Sequence, residues 1–180
     1  MNLSKTLPTF TQLTLLLAAA SAQELKQPLI TSNLGGRELS FLTKANEHGV
    51  LMIYLADLLQ TKSASKPVQA LGELLASTQG EENSRLVQLA SGKGTSFKAE
   101  TPPSLKKLQT RVDSLTGAAF DKAAVGETVL LVKELIASYE AGAKSKDPEV
   151  QAFAEQGLQL AKDKLSIATK VAGAPAPGSE

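Results

Sequence analysis

Apolar side chains recur at steps of three and four through four long stretches of this chain, a spacing that puts them on one face of a helix. In the first stretch Phe41, Ala45, His48, Met52, Leu55 and Leu59 share a face, which predicts a helix from about Arg37 to Thr61. Lys66-Pro67 opens the second, because proline suits a first helical turn. Its stripe is Val68, Leu71, Leu75, Thr78, Glu82, Leu86 and Leu89, polar in the middle, and Gly92-Lys93-Gly94 ends it. After a loop through Pro102 and Pro103, Ser104 is placed to cap a short helix over Leu105, Leu108, Val112 and Leu115, broken at Thr116-Gly117. The third long helix is expected from about Ala118 to Ala143, with Val125, Val129, Val132, Ile136 and Tyr139 inward. Asp147-Pro148 reads as a cap followed by proline at the first helical position. The fourth long helix carries Val150, Phe153, Gly157, Leu160, Lys164, Ile167 and Val171. No stretch alternates as a strand does. Four long helices with short links predict an all-α fold, an antiparallel up-down-up-down four-helix bundle with one extra short helix.

The ends read differently. Lys5, the apolar run Leu13 to Ala20 and the small residues Ala20-Ser21-Ala22 have the order of a secretory signal peptide. Residues 1–22 are therefore expected to be a signal peptide cleaved near Ala22, leaving an exported protein, periplasmic or secreted. Residues 23–36, with Pro28, Gly35 and Gly36, are expected to be a flexible linker. The helical domain is placed at 37–172, and residues 173–180, rich in Gly, Pro and Ala, are expected to be a disordered tail. The apolar run near the start is too short to span a bilayer, and no later segment is long and apolar enough, so no transmembrane segment is expected in the mature chain.

Composition narrows the function. With 19 basic and 18 acidic residues there is no field to favour nucleic acid, and none is expected as a partner. Cysteine is absent, which excludes disulfides, thiolate catalysis and a lipid anchor on Cys. Aromatic residues are only 4%, so the core must be filled mainly by Leu, Val and Ile.

A carboxylate-bridged two-metal site in a helical bundle uses Glu-x-x-His on two helices, because positions i and i+3 face the same way. This chain has one histidine, His48, preceded three residues earlier by Ala45. A multi-His or Cys zinc site is excluded on the same ground. A Ser-His-Asp triad would have to use His48, and nothing marks a partner serine. Gly92-Lys93-Gly94-Thr95 lacks the earlier glycine of a phosphate loop, where Val87 stands, and reads as a helix stop. Glu81 and Glu82 point about 100° apart on a helix and share no site. Two features remain. Lys164 lies in an apolar stripe, where an ammonium is costly unless paired or extended to water. Its expected partners are Glu82 or Glu127. Thr78, Gln79 and Glu82 form a polar patch within the second helix. His48, Thr78, Gln79, Glu82, Glu127 and Lys164 are thus the candidate polar core or ligand site. No catalytic residue, metal ligand or cofactor is assigned.

One local segment is more distinctive than the rest: Leu115-Thr116-Gly117-Ala118-Ala119-Phe120-Asp121-Lys122-Ala123. It resembles the "L-x-G-A-x-F-D-x-x-Y" start of the third long helix in the exported ferritin-like family of domain of unknown function 4142 (DUF4142). Phe41 to Ala45, Lys66 to Ala70 and Asp147 to Ala154 support the resemblance, which covers about residues 38–172. Members of that family commonly carry a Glu in the first long helix, Asp-His in the second, and a His in each of the third and fourth. The matching positions here are Met52, Thr78, Gln79, Val132 and Lys164. The resemblance therefore implies the fold but carries over no histidine ligand, and it suggests that the Lys164 ammonium occupies space and charge left by a lost cation. The function expected is a non-catalytic exported protein that binds or supports a partner, an envelope protein or a small ligand. The alternatives are a metal-binding or redox protein with an atypical site, and a binder of small apolar ligands.

Overall fold

The computed structural model describes residues 33–98 and 100–174. Among the described residues five helices occur in the order α1 (Gly36–Lys62), α2 (Lys66–Gly92), α3 (Pro103–Val112), α4 (Gly117–Gly142) and α5 (Pro148–Ala172). No strand is present among the described residues. The expected signal peptide, most of the expected linker and residues 175–180 of the tail lie outside them. None of the described helices is long and apolar enough to cross a membrane.

The helix starts follow local chemistry. Pro67, Pro103 and Pro148 stand in first turns, where a missing N–H is harmless. Asp147 caps α5, its carboxylate accepting from the N–H groups of Glu149 and Val150 at 3.0 and 3.1 Å. Gly117 opens α4 with φ of +57°, a conformation that favours glycine, so the Thr116-Gly117 break and the helix start are one feature. Ser104 does not cap α3. Pro102 holds the cap position, and the Ser104 hydroxyl donates instead to Glu47 of α1.

α1 packs against α2 and α4, α5 packs against α4 and α2, and α3 lies beside α1 and α4. Glu38 meets Ser145 while His48 meets Glu134, so α1 and α4 run antiparallel. Lys93 meets Glu149 while Glu82 meets Lys164, so α2 and α5 do the same. The core between them holds Met52, Leu55, Leu59, Leu75, Val132 and Leu135 with almost no exposure.

Two parts of the sequence reading change. Leu34, inside the expected linker, is buried, and the Asn33 N–H donates to the Lys93 carbonyl, so the packed domain begins ahead of Arg37. Three of the described rings gather: Phe41, Tyr139 and Phe153 lie with centroids 5.8 to 6.3 Å apart in edge-on and tilted pairs, while Phe120 is buried elsewhere, under the Lys62 ammonium. In α5 the buried face is Val150, Ala154, Gly157, Ala161, Lys164 and Ala168, while Ile167 is exposed. At Gly157 the neighbouring ring leaves no room for a larger residue: a Cβ there would lie 2.5 Å from the Tyr139 ring.

Candidate functional site

Below the ring cluster, α2, α4 and α5 bring four polar side chains together in the interior. Lys164 is 3% exposed, Glu82 2% and Gln79 1%. The Lys164 ammonium donates to Glu82 Oε2 at 2.7 Å and to Gln79 Oε1 at 2.9 Å. The buried Tyr139 hydroxyl donates to the other oxygen, Glu82 Oε1. Both carboxylate oxygens are thus satisfied, one by an ammonium and one by a phenol.

The supporting positions make that geometry specific. Gln79 Nε2 donates to Asn83 Oδ1 at 3.0 Å, which turns the amide so that its oxygen faces Lys164. Asn83 in turn lies over Gly49 of α1, where a Cβ would overlap it. Glu82 and Asn83 follow Gln79 by three and four residues, so one face of α2 supplies the acceptor set. Burial, followed by the neighbouring Glu82 charge and hydrogen bond, pushes the Tyr139 hydroxyl far above its usual pKa, so it remains a proton donor throughout the working pH range.

A buried pair of this kind is not a simple gain, because desolvating two charges offsets much of their attraction. Its chemistry is defined all the same. The ammonium has two protein acceptors, the carboxylate has two donors, and Gln79 is used at both ends.

Not every candidate joins this network. Glu82, Gln79 and Lys164 do. Thr78 is half-buried and returns its hydroxyl to the Leu74 carbonyl at 2.8 Å, within its own helix. Glu127 is not a Lys164 partner as the sequence suggested. It accepts two bonds from the Arg111 guanidinium of α3, at 2.6 and 2.8 Å. That fork ties the short helix to α4 near the surface, where ion pairs contribute little. His48 lies apart, on the side of α1 facing α4, with Nε2 3.7 Å from Glu134 Oε2. Burial holds its pKa below the usual histidine value, while Glu134 and Glu47 oppose the shift.

Tyr139 was the member that sequence reasoning missed. Its position in an apolar stripe marked it only as core. The available signal was its hydroxyl, since a buried phenol needs a partner, and the polar middle of the α2 stripe was the place to look for one.

These residues give a direct test of whether the interior suits a metal ion. At the positions where the resemblance implies ligands, Met52 and Val132 are fully buried and apolar, Thr78 bonds its own backbone, and Gln79 bonds an ammonium. One carboxylate remains, already neutralised by Lys164. Among the described residues no group of three or more His, Asp or Glu is placed to hold a metal. The donor set does not fit.

A family model for a domain of unknown function, DUF4142, matches residues 19–171. The chain belongs to the DUF4142 family. The match takes in α1 to α4, α5 up to its last residue, and every residue of the network. It begins inside the apolar run that the sequence reads as the end of a signal peptide. Neither a curated protein nor a solved structure matches the chain.

Proposed function

We propose that this DUF4142 protein is an exported, non-catalytic binding or scaffolding component of the cell envelope. Its architecture is an antiparallel four-helix bundle of ferritin-like type with a short side helix, and its interior cation is its own lysine. The observation that carries this reading is the Lys164–Glu82–Gln79–Tyr139 network. Each polar group there is satisfied by another, so the interior is built to hold the helices together rather than to bind or transform a guest. The signal-like order of residues 1–22 supports export. The near balance of 19 basic and 18 acidic residues supports a protein or small-molecule partner over nucleic acid.

Two measurements on the protein expressed from the whole chain test this. Fractionation with N-terminal sequencing is expected to find a mature protein beginning at Gln23 outside the cytoplasm. Elemental analysis of that protein is expected to find no stoichiometric metal. Stoichiometric iron, manganese or zinc would overturn the self-contained interior, and an uncleaved cytoplasmic chain would overturn export.

A further inference from the structure

Among the described residues three buried side-chain polar atoms have no hydrogen-bond partner: His48 Nδ1, Ser138 Oγ and Asp121 Oδ1. Native interiors leave few such atoms, and each calls for an explanation. Two of the three, on different helices, line the same cleft between α1 and α4. The cleft has a volume of about 1190 Å³. It follows α1 from Arg37 to Leu51, about 21 Å at the rise of an α-helix.

We propose that this cleft is a binding site for a small organic acid that also carries a hydroxyl or amide N–H group. The hydrogen-bonding requirement comes from the two orphan atoms. Glu134 lies beside His48 Nε2 and favours the tautomer with the proton there, which leaves Nδ1 as an acceptor. The Ser138 hydroxyl is free both to donate and to accept. A ligand that offers Nδ1 an O–H or N–H and gives Ser138 an oxygen satisfies both.

The charge requirement comes from the walls. Each of the cleft's three carboxylates has a polar neighbour within the protein: Glu38 accepts from the Ser145 hydroxyl at 3.0 Å, Glu47 accepts from Ser104, and Glu134 lies 3.7 Å from His48 Nε2. Four cations also line it, Arg37, Lys44, Lys144 and Lys146, and none forms an ion pair among the described residues. Four cations against three carboxylates leave the walls with a net charge of +1. Phe41 and Leu51, both buried, supply an apolar floor for its carbon skeleton. The inference rests on the binding role proposed above but not on the self-contained interior, so failure of one leaves the other standing.

The chain has one histidine, so the His48 ring is a unique NMR reporter of this cleft. N-acetylmuramic acid, which combines one carboxylate with hydroxyls and an amide, and gluconate are the acid probes. N-acetylglucosamine is the neutral control. The expected result is a saturable shift of the His48 ring signals with at least one acid, and binding about tenfold or more weaker for the neutral sugar. Ser138→Ala, half-buried and outside the interior network, is expected to keep the wild-type melting temperature and weaken the acid at least several-fold. No saturable shift with either acid, equal binding of the neutral sugar, or unaltered binding by a folded Ser138→Ala protein would each overturn the proposal. Should Ser138→Ala not fold, Lys44→Gln at an exposed position takes its place under the same criterion.

Discussion

The interior network and the α1/α4 cleft both bury polar atoms and leave them in opposite states. In the network every buried donor has an acceptor: Lys164 has two, Tyr139 has Glu82, and Gln79 has Asn83. In the cleft His48 Nδ1 and Ser138 Oγ have none. The network joins α2, α4 and α5 behind three aromatic rings. The cleft is open, lies between α1 and α4, and is rimmed by unpaired cations. Burial alone therefore does not mark a functional group in this fold. A satisfied polar cluster is cohesion, and an unsatisfied one beside solvent is where an outside molecule can gain by binding.

The largest way to break that contrast is to remove the ammonium. Lys164→Met leaves the Glu82 carboxyl buried without its cation, and loss of one member of a buried pair costs about 3–5 kcal/mol. Urea denaturation at neutral pH measures it. Lys164→Met/Glu82→Gln is expected to recover most of the loss, because the neutral amide can still accept from Tyr139. A single variant as stable as wild type would show that the ammonium is not needed in the core. A smaller effect is expected for Tyr139→Phe, which keeps the ring and deletes the donor to Glu82. A hydrogen bond to a charged group contributes about 1.5–3 kcal/mol, and the same denaturation series reads it.

The sequence made the helices legible because their signals are local: proline at first turns, the Asp147 cap, glycines at breaks, and apolar steps of three and four. It marked Lys164 and Glu82 as partners for the same kind of reason, since a charge inside an apolar stripe demands an opposite charge. It did not separate Glu82 from Glu127, because both lie on inward-tending faces and only tertiary packing brings Arg111 of α3 onto Glu127. The α5 face was drawn too far toward Phe153, Leu160 and Ile167, since periodicity weights large apolar residues. The packed face instead runs through Ala154, Gly157 and Ala161, and Gly157 admits the Tyr139 ring. The cleft was beyond reach, because Ser138 looks like any helical serine until α1 is laid against it.

That close approach supplies the third test. Gly157→Ala is helix-favouring in isolation, but its Cβ would lie 2.5 Å from the Tyr139 ring. Overpacking of this kind costs about 1–3 kcal/mol. Because the displaced ring carries the hydroxyl bound to Glu82, the loss in Gly157→Ala/Tyr139→Phe is expected to be less than the sum of the two singles, as for residues in direct contact. Strict additivity in a double-mutant cycle would separate ring packing from the polar network and weaken the account of both.

The smallest effect belongs to the cleft and concerns pH. Burial keeps the folded pKa of His48 below the 6.5 of an ordinary histidine, against the opposing pull of Glu134 and Glu47 and with slight help from Lys44. Well above 6.5 both folded and unfolded chains hold the ring neutral, and it contributes no pH dependence. As pH falls through that value, the unfolded chain takes up the proton first, so stability decreases until the folded ring is protonated too. His48→Gln keeps a polar side chain without the titration. Its stability is therefore expected to change less than that of wild type between about pH 7.5 and about pH 5, in denaturation curves measured at both. The opposite sign, wild type gaining stability relative to His48→Gln on acidification, would mean that the two glutamates outweigh burial and charge the ring. Nδ1 would then be a donor, the hydrogen-bond complement assigned to the ligand would be reversed at that atom, and the cleft would no longer contrast with the network by offering a vacant acceptor.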